Sequence, residues 1–129
     1  MPTIFTRIIN GELPAHKILE DEKFLAFLDI RPIKPGHTLV IPKREINYLF
    51  DMGNDQLGEM MVFCKQAAAA LKRSVPCARV GVMVAGLEVP HAHIHLIPFD
   101  AIPDLAFANA RPMDPEKLAA LAEKIRSNL

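Results

Sequence analysis

Three of the five histidines of this 129-residue chain stand at alternate positions in one short stretch, Pro90-His91-Ala92-His93-Ile94-His95-Leu96-Ile97-Pro98. A helix turns about 100° per residue and would scatter three such side chains, about 200° from each to the next. A strand places alternate residues on one face. The spacing therefore predicts a strand over 91–97 with His91, His93 and His95 in a single row. Ala92, Ile94 and Leu96 then face the other way, into a core. The β-branched Ile94 and Ile97 suit a pleated, half-buried surface, and the prolines on either side bound the strand. Imidazoles are costly to bury for packing alone, which marks their face as the reacting one.

Half of the composition is apolar, enough for one domain spanning 1–129 with a core of its own. The formal net charge is zero, and lysine and arginine are dispersed without a basic block. A nucleic-acid groove needs cations gathered on one side, so that partner is not expected. A small phosphate ligand needs only a few local donors. No apolar run reaches membrane-spanning length and the N-terminus does not read as a signal peptide, so no membrane partner and a cytoplasmic location are expected. Cys64 and Cys77 are too few for a disulfide framework and are expected as reduced thiols.

Taken in order, Thr3 can cap a short helix over Ile4 to Asn10 that buries Phe5 and Ile8, with Gly11 ending it. Lys17 to Glu20 and Phe24 to Leu28 read as strands joined by Asp21-Glu22, and Asp29 follows as a carboxylate at the strand exit. A Pro35-Gly36 turn leads into a third strand, His37 to Lys43, with His37 at its mouth. A long helix opens at Asn54 or Asp55, its apolar stripe predicted as Leu57, Met60, Met61, Cys64, Ala67, Ala68 and Leu71. Arg79 to Ala85 is the next strand, followed by the histidine strand. Irregular chain covers Phe99 to Met113. Asp114 then caps a last helix with Pro115 in its first turn and Leu118, Leu121, Ala122 and Ile125 on its buried face. Strands outnumber helices and short connections predominate, which predicts an α+β fold with a mostly antiparallel sheet of about five strands and two main helices.

Three kinds of chemistry fit such a row. A metal can be held by two neighbouring imidazoles, with His37 or Glu88 as a third ligand. Same-face neighbours on a strand stand about 7 Å apart, though, which makes three consecutive ligands awkward. A polar face that binds nothing reactive is the plainest alternative. The third is nucleophilic attack on phosphorus, since neutral imidazole is abundant at physiological pH. A phosphoramidate intermediate splits one difficult displacement into two, while flanking rings donate hydrogen bonds to phosphate oxygens or protonate a leaving group.

The stretch His91-Ala92-His93-Ile94-His95-Leu96-Ile97 resembles the signature of the histidine triad family, three histidines alternating with apolar residues. The likeness extends to Ile4-Phe5, Glu12-Leu13-Pro14-Ala15, Glu20-Asp21-Glu22, Leu25-Ala26-Phe27, Asp29-Ile30 and His37-Thr38-Leu39-Val40-Ile41-Pro42-Lys43. It covers most of residues 3–98, leaving 99–129 as a C-terminal loop and helix. The resemblance implies a homodimer whose sheets join into one. It also implies nucleotide hydrolase or transferase activity through a nucleotidyl-histidine intermediate, with no cofactor and no catalytic metal. By that likeness His93 is the nucleophile, His95 and His37 donate to the α-phosphate oxygens, and His91 orients the nucleophile. Asp29 binds the ribose, and Phe5, Ile8, Phe27 and Ile30 line the base pocket of a purine nucleotide or nucleotide conjugate.

The chain departs from the family pattern just before the triad. Leu87 stands where relatives have glutamine, and Glu88 where they have a serine or threonine that meets the phosphate. An ionised carboxylate there would repel a phosphate, so Glu88 is protonated, turned away, paired with a cation or acting as an acid; a changed leaving-group preference and a plain surface glutamate both fit. Phe99 replaces a frequent arginine, and an asparagine of the preceding strand is missing near Met83 and Val84. The leaving group stays open at this level: an amine, a second nucleotide joined through a polyphosphate, or an acyl group. A nucleotide-binding dimer with little turnover is the alternative from another class.

Overall fold

The computed structural model describes residues 2–129. The sheet has five strands: β1 (Lys17–Glu20), β2 (Phe24–Leu28), β3 (Thr38–Pro42), β4 (Arg79–Met83) and β5 (Ile94–Phe99). They run in the order β1-β2-β3-β5-β4 with every neighbouring pair antiparallel. Three helices accompany them: α1 (Ile4–Ile9), α2 (Asn54–Ser74) and α3 (Pro115–Ser127). This is the α+β arrangement the pattern predicts.

Every residue of β2 and β3 is buried, because both faces of the sheet centre are covered. Phe24, Ala26, Leu28, Val40, Ile94 and Leu96 face α2 and α3 in the larger core. Leu25, Phe27, Leu39 and Ile41 point the other way, under Phe5 and Ile8 of α1. At six residues α1 is too short to persist alone. It is held by that burial and by the Thr3 hydroxyl, which accepts the Thr6 amide at 3.1 Å. Gly11, at φ +79°, turns the chain away after it.

Two expectations need correction. On α2 the buried stripe is Met60, Phe63, Cys64, Ala67, Ala70, Leu71 and Ser74. Met61, predicted to belong to it, is 48% exposed, because one helical step from Met60 rotates it about 100° away from the sheet. Adjacent apolar residues left the stripe's centre ambiguous by one position. The second correction concerns the histidine strand, which begins at Ile94 rather than His91. Pairing with β3 ends at Val40–Ile94. Just beyond, Pro42 has no amide to continue the ladder. Instead the Ala92 amide reaches the Ile46 carbonyl, and the Pro42 carbonyl accepts from the His91 ring.

Gly36 sets the angle at which β3 starts. It adopts φ +93°, and a Cβ there would lie 3.0 Å from Val75 Cγ2 and 3.1 Å from Pro98 Cγ. Gly36→Ala therefore adds backbone strain and a clash one residue before His37. It should cost about 1–3 kcal/mol, read as a lower urea midpoint. Both cysteines are free thiols, and burial pushes Cys64 up to about 12, so it stays protonated within the core. Among the described residues no helix is long and apolar enough to cross a membrane.

Candidate functional site

The histidines gather on the sheet face that α1 covers. Register sets His95 beside Leu39 and Met83, and the irregular approach to β5 carries His91 and His93 up against Phe5. The Phe5 ring meets His91 and His93 edge-on, with centroids 5.7 and 5.1 Å apart, and His93 meets His95 at 5.0 Å. The predicted row exists, although only its last member lies in regular strand.

Hydrogen bonds assign the proton on each neutral ring. His91 Nε2–H donates to the Pro42 carbonyl at 2.8 Å, so Nδ1 accepts the Thr3 hydroxyl at 2.8 Å. His93 Nδ1–H donates to the His91 carbonyl at 2.7 Å, which leaves Nε2 as an open lone pair. His37 Nδ1 accepts the Ile33 amide at 3.0 Å. Its proton therefore sits on Nε2 and is donated to His95 Nδ1 at 2.9 Å. His95 in turn carries its proton on Nε2. The row thus presents a bare nitrogen on His93 beside an N–H on His95.

Burial sets the charge of these groups. It lowers His37 to about 4, and it lowers His95 to about 3 with help from His37 and His93 nearby. His91 is lowered as well, chiefly by burial and against its bond to Pro42. Asp29 is raised by burial, an effect opposed by the Arg31 amide and by His93 and Arg31. Burial thus favours the neutral form of both His37 and His95, and leaves the His95 Nε2–H as a donor without a full charge.

Two clefts reach the row and another lies beside it, past Phe5 and Asp29. An apolar cleft of about 270 Å³ is lined by Phe5, Ile8, Phe27 and Ile30 among others, with Asp29 at its edge. Asp29 also borders a charged cleft of about 380 Å³ shared by His37, His95, Glu88, Arg31 and Arg111. The third, about 410 Å³, reaches His93 between Tyr48, Phe50 and the Gly86-Leu87 turn. The structure therefore brings together His93, His95, His37 and Asp29, and sets the four predicted base-pocket residues on one cavity. Ile30 is 64% exposed and forms an open rim. Glu88 lies in the charged cleft, as an exposed side chain. His91 is fully buried and reaches His93 through its backbone carbonyl. Both nitrogens of His37 are engaged, which places it behind His95 rather than against a ligand.

Asp29, His37 and His95 offer ligand atoms within 4.8 Å of one another, the one such group among the described residues. Their protons oppose a metal. Coordination at His37 Nε2 requires that atom to lose its proton, and Nδ1 cannot take it up while the Ile33 amide points there.

Three contributors escaped sequence reasoning. Thr3 was legible as a helix cap, and the same hydroxyl also fixes the His91 tautomer. Phe107 sets its ring against His95 at 5.1 Å, and Arg111 lines the charged cleft. Both sit in the irregular segment after β5, where no periodicity signals a role.

A family model of the HIT domain matches residues 10–102. An uncharacterised HIT-like protein of Borreliella burgdorferi is 38% identical over 135 residues, covering 98% of this chain and 97% of its own. Adenosine 5'-monophosphoramidase of Schizosaccharomyces pombe is 30% identical over 135 residues, covering 100% and 99%. Among solved structures, a HIT-like protein of Bartonella henselae superposes with a TM-score of 0.85 at 32% identity, covering 98% and 96%.

Proposed function

The chain belongs to the HIT domain family, and from that footing we propose that it cleaves nucleoside monophosphate conjugates at the α-phosphate through a nucleotidyl-His93 intermediate. The observation that carries this reading is the pairing of a bare His93 Nε2 with a protonated His95 Nε2 on one face. The base enters the apolar cleft and Asp29 accepts hydrogen bonds from the ribose hydroxyls, at the joint between the two clefts. His93 Nε2 attacks the α-phosphorus in line, and the bond to the leaving group breaks with its electron pair, an amine taking up a proton from solvent as it departs. His95 Nε2–H donates to a non-bridging oxygen, where negative charge concentrates in the transition state. His37 acts one step back, holding His95 in the tautomer that donates. Water then attacks the phosphorus, breaks the P–N bond and restores neutral His93, releasing the nucleotide and a proton. The phosphoramidase activity named for the S. pombe relative supports an amine as one leaving group. No metal takes part in these steps.

The protein in this reading is a homodimer. β4 lies at one edge of the sheet, and Val82 and Val84 on and beside it are exposed, as are Met61 and Val62 of α2. Met61, Val62 and Val82 line an apolar groove of about 220 Å³. A second copy pairing edge to edge covers groove and edge at once.

Rapid-quench mass spectrometry with a nucleoside phosphoramidate tests the intermediate. The expected result is a transient mass gain equal to one nucleotidyl group, mapped to the peptide that contains His93. Turnover with no such species under burst conditions points instead to direct attack by water.

A further inference from the structure

The charged cleft has two unlike walls. Asp29 and His95, with His37 behind it, form one, which takes the ribose and α-phosphate in the hydrolase reading. The other is built by Arg31, Glu88 and the segment after β5, through Phe107, Ala108, Ala110 and Arg111. That segment is fastened to the site. The Arg111 amide donates to the Pro32 carbonyl and the Met113 amide to the Ile30 carbonyl, each at 3.2 Å. The Phe107 ring closes against His95.

Arg111 is further ordered by its own turn. Nη1 donates to the carbonyls of Ala108 and Ala110 at 2.9 and 2.8 Å. Among the described residues neither Arg111 nor Arg31 forms an ion pair with a carboxylate. Two arginines without a carboxylate ion pair therefore line a cleft that includes His95. A guanidinium presents its donors as a planar fork matched to phosphate or carboxylate. A neutral amine leaving group would use neither.

We propose that Arg111 and Arg31 form the anion-binding part of the leaving-group subsite, so that the protein selects nucleotide conjugates carrying a phosphate or carboxylate just beyond the scissile bond. This rests on the hydrolase reading of the same site. Glu88 is the counterweight within the cleft. Its exposed carboxylate repels the same anion and moderates the preference.

Calorimetric binding of AMP and of ADP carrying a methylene bridge in place of the α,β-oxygen tests the subsite without turnover, because the terminal phosphonate occupies the position of an anionic leaving group and cannot be cleaved off. This ADP analogue is expected to bind about fivefold more tightly than AMP. In Arg111→Ala and in Arg31→Ala that ratio falls toward one, Arg111→Lys lies between, and Glu88→Gln widens it. A second arm compares kcat/KM for AMP joined through nitrogen to glycine or to glycinamide, which differ by one carboxylate. A charge preference in either arm that Arg111→Ala abolishes supports the proposal and identifies the anion as phosphate, carboxylate or both. A ratio near one in the unaltered protein in both arms, or one that Arg111→Ala leaves intact, overturns it. Preferential binding of the ADP analogue without hydrolysis of either conjugate overturns the hydrolase reading and leaves the anion subsite standing.

Discussion

His93→Ala is expected to lower turnover of a nucleoside phosphoramidate by about a thousandfold or more and to abolish the transient nucleotidyl-protein species. The size follows from what is removed. Without Nε2 the α-phosphorus has no nucleophile on the protein, and water must displace the leaving group directly. His95 Nε2–H and the clefts remain, so nucleotide affinity should change little. The variant also leaves the His91 carbonyl without its ring donor and opens space beside Phe5. A circular dichroism spectrum and an AMP titration therefore accompany the rate measurement, to separate a lost nucleophile from a lost fold. Retained binding with lost turnover supports the mechanism. Turnover within tenfold of the unaltered protein would remove His93 from the nucleophile's role. A nucleotide-binding dimer with little activity predicts that neither protein turns over measurably.

Folding stability is the second large effect, and its sign is fixed by the buried imidazoles. His37 and His95 titrate near 4 and 3 in the folded protein against 6.5 for a free side chain. Between those values the unfolded chain binds more protons than the folded one, so unfolding becomes easier as the pH falls. Above about pH 6.5 both states hold neutral rings, and this contribution is constant. Below it, stability drops progressively until the folded rings also protonate. His91, lowered by burial, acts in the same direction. Asp29, raised by burial, acts in the opposite one, since its protonated form is favoured in the folded state. Protonation also breaks particular bonds. A second proton on His37 meets the Ile33 amide, and one on His95 Nδ1 meets the His37 donor.

Urea unfolding at pH 7.5, 5.5 and 4.5 should show a midpoint that is steady above neutrality and falls steeply below pH 6. Replacing both His37 and His95 by glutamine should flatten the acid limb relative to the unaltered protein. A midpoint independent of pH across this range would contradict neutral, buried imidazoles at both positions.

Much of this protein is legible residue by residue along the chain. β1 and β2 run over the predicted residues, α3 opens at the predicted Asp114 cap, and the Thr3 cap starts α1 where expected. Such features depend on neighbours a few positions away, and alternation or helical spacing encodes them directly. The histidine row was legible for the same reason. Asp29 was legible locally only as a carboxylate at the exit of an apolar run, and the fold sets it in one cleft with His37 and His95.

The state of the row was not. His91 takes its tautomer from Thr3 and Pro42, 88 and 49 positions away, and His95 takes its own from His37, 58 positions away. Those partners meet only after the sheet has assembled, and no local pattern announces them. The same holds for Phe107 and Arg111, which lie in irregular chain and reach the site because main-chain bonds tie 111–113 to Ile30 and Pro32. Residue identity alone determined that imidazoles would line one face. Tertiary packing decided which nitrogen is bare, because a proton's place on a ring is set by whichever donor or acceptor the fold brings against it.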